Sequence, residues 1–177
     1  YFLDFDMDGD MDAFLVYFPI SFNTMMLMNA KLVNDNLVLI DDTTRTYVSH
    51  RLFENRNGHF MDISKKAGIG TYAFGLSAGI ADFNKDGWPD IYVANDFRKP
   101  DYLYINNRNG SFSEKLSDYF QHISLSSMGM DINDLNNDGL EDVFVLDMAI
   151  EDPVRQKRLF VQDLNYDRFA LMVKLKL

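Results

Sequence analysis

Three segments of the chain carry oxygen-bearing side chains at one shared spacing. Asp4, Asp6, Asp8 and Asp12 stand at positions 1, 3, 5 and 9 of the first segment. Asp82, Asn84, Asp86 and Asp90 do so in the second, and Asp134, Asn136, Asp138 and Asp142 in the third. Position 6 is glycine in every copy: Gly9, Gly87 and Gly139. Side chains on alternate residues converge on one point only where the backbone turns sharply, and a glycine at position 6 permits that turn. Converging hard oxygens suit calcium, which takes six to eight of them, better than magnesium with its strict octahedral shell. Position 7 turns a main-chain carbonyl inward, making Asp10, Trp88 and Leu140 further expected ligands, and the carboxylate at position 9 closes the shell. The expectation is about three calcium ions, one per loop. The first loop has no Asn and gains a fifth acid in Asp10, so it depends most on its cation. For any single copy, an ordinary acidic turn without an ion is a fair alternative. Three gapless copies with the same glycine and the same closing aspartate weigh against it.

These are not helix–loop–helix hands. That motif needs glutamate at position 12, where this chain has Leu15, Val93 and Val145. The flanks Ala13–Tyr17, Ile91–Ala94 and Val143–Leu146 are short apolar runs, which read as strands. Pro89, immediately before Asp90, fits a turn entering a strand and would break a helix.

The elements that position the loops repeat with them. Loops two and three start 52 residues apart (Asp82 to Asp134) and loops one and two 78 apart (Asp4 to Asp82). A second marker, Leu52-Phe53-Glu-Asn55-Arg-Asn57-Gly58-His-Phe60, returns as Leu103-Tyr104-Ile-Asn106-Asn-Arg108-Asn109-Gly110-Ser-Phe112, its closing Phe again 52 residues on. One insertion within about residues 18–50 accounts for the longer first interval. A period near 50 suits a four-stranded propeller blade. Each unit reads as strand, acidic loop, strand, link, strand, Asn-Gly turn and short strand. Asn57-Gly58 and Asn109-Gly110 are hairpin-turn signals. Gly75, Gly79 and Gly129, ahead of loops two and three, mark close strand approach. Ile91–Ala94 and Val143–Leu146 read as inner strands covered on both faces. The expected fold class is all-β: about three four-stranded blades at 1–69 (with the insertion 18–50), 70–121 and 122–177, forming part of a larger propeller for which seven blades is the expectation. The chain opens just before a loop and is expected to be a piece of a longer protein, with further blades or domains. Phe169–Leu177 is read as the start of another strand.

The pattern Asp-x-Asn/Asp-x-Asp-Gly-x-x-Asp before an apolar strand, combined with Leu-Tyr/Phe-x-Asn…Asn-Gly-x-Phe, resembles FG-GAP/VCBS-repeat proteins. Phe60-Met-Asp62-Ile-Ser64-Lys-Lys-Ala67-Gly68-Ile69 and Gly79-Ile-Ala81-Asp82-Phe-Asn84 are similar to the bacterial group joined to ASPIC/UnbV-type domains. The resemblance covers roughly 1–152. It implies a calcium-stabilised, integrin-α-like propeller in a secreted, periplasmic or cell-surface protein. Adhesion, or binding to a protein or carbohydrate, is what it implies for function.

Bulk properties narrow the rest. Acids outnumber bases 27 to 17 for a net charge of −10, which argues against a nucleic-acid partner. No cysteine is present, so disulfide scaffolds and thiolate chemistry are excluded. No stretch approaches the roughly 18 apolar residues of a transmembrane segment. No catalytic residue is assigned. His50, His59 and His122 are scattered and read as ordinary polar or partly buried residues, and Tyr102, Tyr104 and Trp88 as packing groups. Asp147, Glu151 and Asp152, near Arg155 and Lys157, are the acids least committed to a loop. They would have to supply the acid pair if the chain belonged to an extracellular polysaccharide-acting enzyme, the main alternative to a scaffold. A purely structural region between other domains is a further alternative. In the insertion, Phe18, Phe22, Met25, Met26, Leu27 and Met28 read as a plug on their own blade or a cover over its rim.

Overall fold

The computed structural model describes residues 1–18, 49–70, 73–96, 100–124 and 126–147, together with the strand pairing of 29–33 and 36–40. The insertion residues Phe22 to Met28, the acids Glu151 and Asp152 with Arg155 and Lys157, and Phe169–Leu177 lie outside the described residues, as does the last part of the proposed third unit.

Two four-stranded antiparallel sheets and part of a third follow one another along the chain. The first contains β1 (Phe2–Leu3), β2 (Asp12–Leu15), β5 (Arg51–Arg56) and β6 (His59–Asp62), in that spatial order. Between β2 and β5 the insertion forms its own hairpin, β3 (Asn29–Val33) with β4 (Asn36–Ile40). The second sheet is a simple meander of β7 (Gly75–Ala81), β8 (Asp90–Asn95), β9 (Tyr102–Asn106) and β10 (Phe112–Glu114). A single helical turn, α1 (Leu116–Tyr119), follows it. Among the described residues the third sheet has two strands, β11 (Ser127–Asn133) and β12 (Asp142–Asp147). The architecture is nearly all-β, and the repeated meanders are β-propeller blades.

Strand alternation explains how the middle blade is covered twice. In β9, Tyr102 and Tyr104 face a core shared with the first blade, containing Leu3, Phe14 and Leu52. Leu103 and Ile105 face a second core with Met130, Ile132 and Val143 of the third sheet. Successive side chains point to opposite faces, so a strand buried on both needs an unbroken apolar run. All six residues of β8 are buried accordingly. The equivalent β12 departs from expectation: Phe144 and Leu146 are more than half exposed, while Val143 and Val145 pack inward. Among the described residues only one face of that sheet has a neighbour.

Two of the three glycines behave as close-approach positions. A Cβ on Gly75 would collide with His50 and Val16 of the first blade, and one on Gly79 with Ile132 of the third. Gly129 corrects the expectation, because among the described residues a Cβ there meets only Leu146 at 3.9 Å, an ordinary contact. Polar bonds also stitch the blades. The buried Asp101 carboxylate accepts from Tyr92 Oη at 2.7 Å, from the Asn95 N–H at 2.8 Å and from Ser127 Oγ of the third sheet at 3.0 Å. Burial, the largest influence, still leaves the Asp101 carboxyl above its ordinary range.

Candidate metal centre

Each acidic loop joins the first two strands of its sheet, and all three adopt one backbone conformation. Position 4 is left-handed without being glycine, at Met7 (φ 60°), Lys85 (58°) and Asn137 (60°), and position 6 follows with Gly9, Gly87 and Gly139 at 93°, 87° and 83°. Non-glycine residues seldom take that conformation, so a compensating interaction is required. The position-1 carboxylate supplies it. In the first loop, Asp4 accepts the N–H groups of Asp8 and Gly9, both at 3.0 Å. Asp82 does the same for Asp86 and Gly87 at 2.9 and 2.7 Å, and Asp134 for Asp138 and Gly139 at 3.1 and 2.8 Å. The N–H at position 7 then donates to the position-5 carboxylate in each loop.

Position 9 fastens the loop to the sheet. Asp12 accepts Phe5 N–H at 3.1 Å and, across the sheet, Asn55 N–H at 2.8 Å. Asp90 repeats this with Phe83 at 2.9 Å and Asn106 at 2.7 Å. Asp142 accepts Leu135 N–H at 3.0 Å. Asp12 and Asp90 are 1% and 0% exposed, and burial pushes each carboxyl up to about 6 despite the N–H groups that oppose it. Asn55 and Asn106, the fourth residues of the second sequence marker, are therefore part of the site. Asn55 Nδ2 also donates to Met11 O at 3.2 Å, and Asn106 Nδ2 donates both to Pro89 O and to Phe5 O of the neighbouring loop. Their recurrence in the marker was the available signal for this role.

The first loop gathers negative charge with little to balance it. Asp4, Asp6 and Asp8 each place a carboxylate oxygen within 4.8 Å of the others. Asp6 Oδ1 and Asp10 Oδ1 are buried atoms with no hydrogen-bond donor among the described residues. Removal from water, followed by repulsion from Asp8, raises both carboxyls above their ordinary range. Buried acceptors normally find a partner. Hard carboxylate oxygens left without one, on Asp6 and Asp10 and beside the carboxylates of Asp4 and Asp8, have the chemistry that could take a divalent cation.

The other loops are better balanced. Asn84 Nδ2 donates to Asp86 Oδ2 at 2.9 Å, and Asn136 Nδ2 to Asp138 Oδ2 at 3.0 Å. Lys85 also reaches Glu141 of the third loop at 3.3 Å. The second loop gains a guanidinium as well, since Arg108 Nε and Nη2 both lie 2.8 Å from Asp86 Oδ2. Burial, the largest influence on Asp86, would raise its carboxyl, but the Trp88 N–H, Arg108 and Asn84 together hold it below the usual range. Asp6, Trp88 and Arg108 border a shared cleft of about 300 Å³ between the first two blades.

The remaining candidates fall outside this arrangement. His50 is fully buried between the first two blades, its Nδ1 accepting the Tyr17 N–H at 3.2 Å, and burial pushes its pKa down to about 3 with the neighbouring Asn95 side chain opposing the shift. His59 and His122 are exposed, and Tyr102 and Tyr104 are packing groups in the core. Phe18 packs edge-on against Phe74. Asp147 accepts from Ser124 Oγ and from Ser126 N–H.

Blades of this kind, each with an acidic loop between its first two strands, define a repeat class, and sequence comparison places the chain within it. The FG-GAP-like repeat model matches residues 34–93 and 82–145, and the chain belongs to that family. It is also similar to integrin alpha-3 of Mus musculus, 32% identical over 94 residues, covering 47% of this chain and 9% of that protein. The Cricetulus griseus integrin alpha-3 is 33% identical over 88 residues, covering 44% and 8% respectively. The chain thus spans less than a tenth of the length of these relatives.

Proposed function

We propose that the chain is a calcium-dependent β-propeller scaffold for binding a protein or carbohydrate outside the cytoplasm. The observation that carries the calcium reading is the pair of buried oxygens on Asp6 and Asp10 that no described residue donates to, beside the clustered Asp4 and Asp8. The proposed side-chain ligands are Asp4, Asp6, Asp8, Asp10 and Asp12 in the first loop, Asn84 with Asp82, Asp86 and Asp90 in the second, and Asn136 with Asp134, Asp138 and Asp142 in the third. The carbonyls of Asp10, Trp88 and Leu140 complete the sets. Asp12 and Asp90 use one lone pair of each oxygen on the backbone, and a carboxylate retains further acceptor capacity for an ion.

In this reading the ion supplies folding energy and no reaction chemistry. It neutralises the loop and locks the turn between two strands, so the blades stay in register while exposed segments meet a partner. The similarity to integrin alpha-3 and the family's implied location support the interaction role, with units at 1–69, 70–121 and 122–177 as the proposed blades. Calorimetry on the chelated chain, with thermal unfolding in parallel, tests it. About three bound calcium ions and a rise in Tm are expected. A folded chain that takes up no calcium would refute the calcium reading.

A further inference from the structure

We propose that Arg108 is the resident counter-cation of the second loop, and that a metal ion entering this loop competes with the Arg108 guanidinium for Asp86. The inference rests on the calcium reading of the loops and divides them into unlike sites. Asp86 Oδ2 accepts hydrogen bonds from Arg108 Nε at 2.8 Å and from Asn84 Nδ2 at 2.9 Å, with the cationic Arg108 Nη2 also 2.8 Å away. A carboxylate oxygen offers about two lone-pair sites, so this one is saturated before any ion arrives. The Asp86 side chain is only 10% exposed, which limits how far water can replace the guanidinium.

Among the described residues the other loops lack this partner, and Asp138 Oδ2 receives only the Asn136 amide. In the first blade the matching arginine, Arg56, is committed to Glu54 through two bonds of 2.8 and 2.7 Å. The cause is one extra residue. The turn Asn55-Arg56-Asn57-Gly58 is a two-residue hairpin with Asn57 and Gly58 left-handed, whereas Asn106-Asn107-Arg108-Asn109-Gly110 is longer and places Arg108 (φ 59°) and Gly110 in that conformation. Arg108 N–H is held by Asn106 Oδ1 at 2.9 Å, and Asn106 N–H is bound to Asp90. The arginine is thereby anchored to the residue that fastens the loop it neutralises. A planar guanidinium sharing a carboxylate in this way persists better than an ammonium.

Trp88, the single tryptophan of the chain, occupies position 7 of this loop and makes the site readable by itself. Terbium luminescence excited through the indole, followed by displacement with calcium, is measured on the full chain for wild type, Arg108→Gln and Arg108→Lys, with calorimetry reporting all loops. Arg108→Gln is expected to tighten calcium at the Trp88-reported site by roughly tenfold, the scale of one charge-assisted pair, with Arg108→Lys in between. In chelator, Arg108→Gln is expected to melt a few degrees below wild type, a gap that calcium closes. Unchanged or weaker calcium affinity in Arg108→Gln, with the other loops still binding, overturns the competition and leaves the calcium reading standing. Equal melting in chelator overturns the counter-cation role. Absence of binding at every loop overturns the calcium reading and the competition together.

Discussion

The first and second loops have the same backbone and opposite electrostatic habits. Both hold a left-handed residue at position 4 and a left-handed glycine at position 6, tied by the position-1 carboxylate and fastened by the position-9 carboxylate. Yet the first carries five acids and two oxygens that no described residue donates to, while the second sets Asn84 and Arg108 against Asp86. Loop shape is therefore encoded inside the nine residues, and charge balance is decided by a turn on another strand. A repeat can keep its geometry and still vary its need for an ion.

The strongest test of the shared part removes the fastening carboxylate. Asp12→Ala and Asp90→Ala each strand two backbone N–H groups, at Phe5 and the half-buried Asn55 or at the buried Phe83 and Asn106. Each should cost roughly 3 kcal/mol or more, from two hydrogen bonds to a charged acceptor. Urea unfolding in chelator would measure both. Losses of similar size support one architecture, and a mild Asp12→Ala beside a severe Asp90→Ala would break it.

Acid offers a control that belongs to neither loop. His50 is neutral in the folded chain, its pKa pushed from 6.5 to about 3 by burial, so below the unfolded value only the unfolded chain takes up its proton. Stability from this group is complete above pH 6.5 and falls as pH drops toward 3, by about 1.4 kcal/mol per unit. By pH 5 the loss is roughly 2 kcal/mol on that slope. The difference in unfolding free energy between wild type and His50→Phe, followed from pH 7.5 to 5 in chelator, isolates it from the loop carboxylates. A difference that does not change with pH would show that His50 is not the buried neutral group described, and the acid response would then have to be sought in the loops.

The loops and blades were legible because their causes are local. Oxygen spacing, the position-6 glycine and the strand runs all lie within a few residues, and the Leu-x-x-Asn marker named Asn55 and Asn106 without revealing that they bond to the loops. What escaped depends on contacts across strands. The position-9 aspartates read as closing ligands, and their bonds to backbone N–H groups appear only once the third strand lies alongside. Asn109-Gly110 reads as the same hairpin as Asn57-Gly58, but one added residue shifts the left-handed position to Arg108 and brings a cation onto Asp86. Gly129 looks like Gly79 in sequence, yet among the described residues only Gly79 faces a tightly packed neighbour. The exposure of Phe144 and Leu146 likewise depends on what lies beside the sheet and not on β12 itself.

The smallest expected effect is the sharpest probe of the contrast, because it exchanges position 3 between the two loops. Asp6→Asn in the first loop removes a charge whose buried Oδ1 has no donor among the described residues and which Asp8 repels. In chelator this should stabilise the chain by about 0.5–1 kcal/mol, the scale of a partly exposed charge interaction. Asn84→Asp does the reverse in the second loop, removing the amide that donates to Asp86, and should destabilise by a similar or smaller amount because Arg108 remains to absorb the added charge. Calcium should invert the first result, since the lost carboxylate is then a lost ligand, and should do most for Asn84→Asp. Chemical denaturation of both variants with and without calcium makes the comparison. If Asp6→Asn is destabilising even in chelator, the first loop is not electrostatically strained, and the difference between the two loops would lie in packing instead of charge.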